Sequence, residues 1–166
     1  MKRKRGAVTV EFTLVGIPLI FILISNVEMS RGMWIYHTET YAINQGTRYL
    51  VVHGADCAES GNTCTTTVGS VAHAIANNGV GLVPSLWNVK LVSASGSNNV
   101  TCNPLSTCLT NSTVWPPSPD NALGSTVAIS STYPFTSALC MFFPGSKPVN
   151  FGTFNLPAYS QQVITF

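Results

Sequence analysis

The stretch "KRKRGAVTVEFTLVGIPLIFILISNV", residues 2–27, decides the fold. It sets four cations and a glycine ahead of a run that is apolar but for one acid. From Ala7 to Val27 there are 21 residues and a single formal charge, Glu11. As a helix this segment is roughly 30 Å long, the thickness of a bilayer's hydrocarbon core. The cations Lys2, Arg3, Lys4 and Arg5 flank one end, so the N-terminus is expected in the cytoplasm with the rest of the chain crossing. A secretory signal would be followed by a small-residue cleavage site. Residues 25–36, "SNVEMSRGMWIY", offer none, so the segment reads as a retained membrane helix. A carboxylate inside such a segment costs several kcal/mol unless it is paired or lies near the interface, which marks Glu11 as functional.

The helical pattern continues beyond the apolar run. No proline occurs from Val27 to His53, and Trp34/Ile35, Tyr41/Ala42 and Tyr49 recur at seven-residue spacing, which predicts one apolar stripe. Glu28 and Arg31, three apart, are placed to pair on the helix surface. With Gly54 as the stop, one helix spans residues 7–53, roughly 70 Å, with its transmembrane part at 7–27. Pro18 removes an N–H and frees the Leu14 carbonyl, and Gly16 weakens the same turn, so a kink is expected at Pro18.

After Gly54 the grammar changes. "TTTVGSVAHAIANNGV", residues 65–80, reads as a short amphipathic helix. "LWNVKLVSA", residues 86–94, alternates, with Trp87, Val89, Leu91 and Ser93 on one face of a strand. Residues 94–121 read as a long polar loop. "STVAISSTYPF", residues 125–135, is a second strand with Val127, Ile129 and Ser131 on one face, and "AYSQQVITF", residues 158–166, is a third. Residues 134–157, rich in proline and aromatics, read as irregular. The fold class is therefore α+β: a long N-terminal helix, then a small antiparallel sheet with a short helix. The chain divides into a basic leader, 1–6, the helix, 7–53, and a globular domain, 54–166.

Only 8% of the residues are charged, against the roughly 25% usual in a soluble protein. Past residue 60 the only formal charges are Lys90, Asp120 and Lys147, and Ser, Thr, Asn and Gly carry the solubility of that half. The net charge of +2 becomes −2 without residues 1–6, so there is no basic face for nucleic acid. Five cysteines lie at 57, 64, 102, 108 and 140. Cys57–Cys64 and Cys102–Cys108 each enclose a short polar loop, which favours two local disulfides over a zinc knuckle. Cys140 is then left as a buried thiol, unless a different pairing uses it.

Chemistry-bearing constellations are sparse. His37, His53 and His73 are scattered, and a metal site from His53, Cys57 and Cys64 has no supporting spacing. Glu28, Glu39, Asp56 and Glu59 show no paired arrangement for acid–base work, and no nucleophile elbow, P-loop or dinucleotide fingerprint occurs. The reading is of a protein that is not an enzyme and has neither cofactor nor metal.

Gly6 followed by "AVTVEF" resembles the processing and assembly signature of type IV pilin-like proteins: a basic leader, a glycine, four residues, then glutamate and an aromatic, here Glu11 and Phe12. The wider stretch "RGAVTVEFTLVGIPLIFILISNVEMSRGMW", then "AINQGTRYLVVHG", is similar to the TadE-like pseudopilins of tight-adherence (Tad, or Flp) pilus machinery. Val27–Arg31 matches a "VEFGR"-like element and Ala42–Val51 an "AAREGARYAV"-like helix end. Asn44 and Gln45 stand where an Arg-Glu pair is common. The resemblance covers the first third of the chain. It implies cleavage by a prepilin peptidase between Gly6 and Ala7, and a structural role in a pilus used for adherence. It also implies other pilin-like subunits as partners, and residence in a bacterial inner membrane with the C-terminal domain in the periplasm, or at the cell surface once assembled. "NVT" at Asn99 and "NST" at Asn111 match glycosylation sequons, which a bacterial origin discounts. Glu11 would pair with the Ala7 amine of a neighbouring subunit; the alternative is that it merely snorkels to the interface. A different reading of the whole chain is an unprocessed, single-pass anchored binding module that recognises a surface ligand.

Overall fold

The computed structural model describes residues 5–55, 57, 65–137 and 152–165, with side chains from residue 9 onward. The element order is α1 (Arg5–Val51), α2 (Val68–Asn78), β1 (Asn88–Val92), β2 (Val100–Cys102), a 3-10 turn (Leu105–Cys108), β3 (Thr126–Thr136) and β4 (Thr153–Val163). The class is α+β, as the sequence predicts. The chain falls into two compact units: one holds residues up to Trp34 with Thr136–Thr153, the other Ile35–Phe135 with residues from Phe154.

In the first unit α1 is one unbroken helix through Pro18. Its threonine and serine side chains turn back on the helix: Thr13 Oγ1 lies 3.1 Å from the Thr9 carbonyl, and Ser30 Oγ donates to the Asn26 carbonyl at 2.8 Å. This is how isolated hydroxyls are satisfied on an otherwise apolar helix.

The second unit holds the core. The C-terminal part of α1 buries Ala42, Ile43 and Leu50 against Val71 and Ile75 of α2 and the inner side of the sheet. Gly46 is the point of closest approach: a β-carbon there would stand 2.5 Å from Ile75 Cγ1 and 3.4 Å from Ile129 Cδ1. Only a residue without that carbon admits α2 and β3 so near the helix. Gly46 lies in the "AINQGTR" stretch, so the glycine of that motif has a packing role here.

α2 starts where the Thr-rich segment ends. Thr67 caps it, with the Ser70 N–H donating to Thr67 Oγ1 at 3.1 Å and the Thr67 N–H donating to Ser70 Oγ at 3.0 Å. Such a reciprocal box satisfies two otherwise orphaned donors. Gly79 closes the helix, its N–H donating to the Ile75 carbonyl at 3.0 Å.

The sheet has the order β2-β1-β3-β4. β1 pairs antiparallel with β2, Lys90 opposite Thr101, and with β3, Lys90 opposite Ser130. The inward set predicted for the first strand holds: Trp87, Val89, Leu91 and Ser93 are all buried, as are Val127, Ile129 and Ser131 of β3.

Four expectations need correction. First, α1 ends at Val51, not His53, because the His53 N–H bonds to the Leu50 carbonyl, three residues back, and tightens the last turn. Second, the seven-residue stripe is only half right: Ile35, Ala42 and Tyr49 pack on the core, but Trp34 and Tyr41 are 63% and 55% exposed. The buried face runs through Glu39, Ala42, Ile43, Gly46, Thr47 and Leu50, the i+3/i+4 pattern of a helix laid on a sheet. Third, the polar loop at 94–121 contains β2 and a 3-10 turn. Three residues that pair with β1 are too short to show an alternation, and the Cys102–Cys108 bond closes the turn behind them.

Fourth, the supposedly irregular stretch is strand at both ends, with β3 reaching Thr136 and β4 starting at Thr153. Pro134 lies beyond the Ala128–Thr132 segment that pairs with β1, and Pro157 sits in the edge strand β4. These are the positions at which a sheet tolerates proline.

Candidate functional site: an apolar helix with one acid, and a buried carboxyl

Helix α1 contains an 18-residue window with mean hydropathy 2.1, and none of that window is buried. Phe12 is 75% exposed, Leu14 71%, and the exposure of large apolar side chains continues through Leu23. A core helix of a soluble domain would be covered. An apolar surface this continuous needs lipid or protein against it. Among these side chains, Glu11 is exposed, next to Phe12. The Phe12 ring lies over Gly16, one turn on, at a distance where a β-carbon would make ordinary van der Waals contact at 3.8 Å. Gly6 and Ala7 are described as helix backbone only.

The predicted Glu28–Arg31 pair is present, with Arg31 Nη1 3.2 Å from Glu28 Oε1. Arg31 Nη2 also donates to the Thr136 carbonyl, so the same guanidinium ties α1 to the end of β3 within the first unit.

Cys102 and Cys108 form a disulfide, as their spacing suggested. A loop this short contributes about 2 kcal/mol in the chain-entropy account. Cys57 is also disulfide-bonded. Cys64 and Cys140 lie outside the described residues, and so does the choice of partner for Cys57. Among the described residues no group of three or more His, Cys, Asp or Glu is placed to hold a metal ion.

One charged residue is not where surface logic would leave it. Glu39 is fully buried between α1 and the sheet. The Ser131 hydroxyl donates to Glu39 Oε1 at 2.6 Å, while Oε2 has no hydrogen-bond partner. The buried Trp87 indole N–H likewise lacks one; it lies near enough to the carboxyl to favour its charged form without closing a bond of good geometry. Burial wins: it pushes the Glu39 carboxyl up to about 7, against the lowering effects of Ser131 and then Trp87. The signal was in the sequence, because position 39 lies four residues after Ile35 and three and four before Ala42 and Ile43, on the inward face. Asp120 is the contrasting case. Ser95 Oγ donates to it at 2.6 Å and Asn98 Nδ2 at 3.1 Å, and these bonds, Ser95 first, hold it below the usual carboxylate range.

Residues 6–48 match the family model described as "TadE-like protein". The match starts at the glycine before the apolar run, takes in Glu11 and Phe12, and ends two residues past Gly46. No curated protein and no solved structure matches the chain. The TadE-like family points to involvement in a Tad pilus, and the exposed apolar part of α1 is of the length and composition that can span a membrane.

Proposed function

We propose that the chain is a TadE-like minor pseudopilin, made as an inner-membrane precursor, cut by a prepilin peptidase after Gly6 and incorporated into a Tad-type pilus that serves adherence. Its role is structural: it is a substrate of the peptidase and has no catalysis of its own. The observation that supports this most is the TadE-like match beginning at Gly6, in front of an apolar helix whose side chains are uncovered. In this reading residues 1–6 stay in the cytoplasm and are removed, the segment 7–27 lies in lipid, and the domain from residue 54 is periplasmic.

The chemistry needed is modest. Cleavage creates a positive amine at Ala7, and Glu11 is one helical turn away. In a bundle of such helices the carboxylate of one subunit meets the amine of the next. A lone charge in that setting is costly, whereas the pair is tolerated and also fixes the stagger between subunits.

Processing is tested with Gly6→Arg. A peptidase that brings its backbone close to the scissile bond needs a residue without a β-carbon there. The variant is expected to insert and remain at full precursor mass. A Gly6→Arg protein that still yields a chain starting at Ala7 would show that the site is misassigned.

A further inference from the structure

The second unit carries a groove that the assembly reading does not use. It encloses about 650 Å³ on the sheet, within the range of small-ligand sites. The strand register builds its floor. Lys90 is exposed between the buried Val89 and Leu91, and it stands opposite Thr101 on one side and Ser130 on the other. Asn88, two residues back on the same face, stands opposite Thr132. Adjacent strands are about 4.8 Å apart, so these polar groups form rows at a spacing comparable to the width of one sugar ring. Tyr159 of β4 and Tyr36 of α1 flank the floor, 61% and 41% exposed. The Tyr159 hydroxyl donates to Gln161 Oε1, which holds the ring in place.

The chemistry of this lining is selective. Hydroxyl- and amide-bearing residues, Asn88 and Asn103 among them, line the groove together with apolar atoms, a mix that suits the hydroxyls and the ring faces of a sugar. Among the described lining residues there is no Asp or Glu, so a cation has nothing to bind. Lys90 makes no ion pair and no side-chain hydrogen bond among the described residues. One unpaired ammonium among many neutral donors and acceptors, beside two tyrosines, fits a polyhydroxylated ligand with a single negative charge. We propose that the groove binds a short acidic saccharide, with a sugar carboxylate on Lys90 Nζ, ring hydroxyls on Asn88, Thr101 and Ser130, and one ring face on Tyr159. The proposal concerns the second unit alone and does not depend on cleavage after Gly6.

The test uses the full chain in a detergent without a sugar headgroup, titrated with trigalacturonate and, in parallel, the neutral galactose trimer. Calorimetry reads affinity, and saturation-transfer NMR reads which ligand protons touch the protein. Trigalacturonate is expected to bind saturably and more tightly than the neutral trimer. Lys90→Gln, an exposed change checked by unaltered thermal unfolding, is expected to cost about tenfold or more for the acidic trimer, as the loss of a charge-assisted hydrogen bond implies. It should leave the neutral trimer unaffected, whereas Tyr159→Ala should weaken both. Absence of saturable trigalacturonate binding at millimolar concentration, or a Lys90→Gln variant that binds it equally well, would overturn the proposal. Triglutamate peptide or inorganic sulfate competing as well as trigalacturonate would overturn the saccharide assignment by showing a general anion site.

Discussion

Glu11→Val is expected to leave the protein inserted and processed but to abolish its assembly. The substitution removes the only formal charge between Ala7 and Val27 and lengthens the uninterrupted apolar run, so insertion is unharmed or improved. On the proposed reading cleavage after Gly6 is expected to persist, because the basic leader and the glycine are unchanged. What fails is the bundle. Each mature Ala7 amine would enter it unpaired, and truncating one partner of a buried pair costs about 3–5 kcal/mol, roughly a hundredfold or more in incorporation. Glu11→Asp should fall between, since the charge survives and the reach shortens. The readouts are processing by mass, co-purification with other pilin-like subunits, and adherence. A processed Glu11→Val protein that assembles and adheres normally would reduce the acid to a snorkelling interface residue.

The second large effect is expected at Glu39, in stability against pH. Folded, this carboxyl titrates near 7; unfolded, it returns to the ordinary value of 4.5. Between those limits the folded state binds more protons than the unfolded state, so stability falls as pH rises. Below about 4.5 both states are protonated and there is no penalty; above about 7 the penalty is complete, about 3 kcal/mol at most. Glu39→Gln keeps the shape, removes the charge and still offers Ser131 a hydrogen bond. It should unfold several degrees higher than the native protein at pH 8, and close to it at pH 4.5. Trp87 and Trp115, both buried, report the transition by fluorescence. Equal pH slopes for the native and Glu39→Gln proteins would mean that the buried carboxyl is not the titrating group.

How far the sequence could be read depended on how many residues carried each signal. The apolar helix announced itself over 21 residues, and the capped helix at Val68–Asn78 and the strand from Asn88 each carried both a period and a boundary. β2 did not, because three residues cannot display an alternation and its existence depends on the partner β1. Pro134 and Pro157 misled for a related reason: proline argues against a paired strand, and only the sheet shows that Pro134 lies beyond the stretch paired with β1 and Pro157 in an edge strand. The aromatic spacing of Trp34 and Tyr41 pointed to a stripe that the fold leaves in the open, because large apolar residues are not obliged to be inside. Glu39 entered the sequence reading only as one of four acids with no paired arrangement; its inward phase was visible, but burying a carboxylate is costly enough to set the expectation against it. The stretch that the family model matches was legible because Gly6, Glu11 and Phe12 lie within seven consecutive residues. The groove around Lys90 was not, because its residues come from four strands and a helix and meet only in the register of the sheet.

The most direct measurement is the intact mass of the protein extracted from membranes of cells that carry the prepilin peptidase. The account predicts a chain beginning at Ala7, with its amine free and Glu11 as its fifth residue. A mass corresponding to a chain that still begins at Met1 would contradict it, leaving an unprocessed anchored protein in place of a pilus subunit.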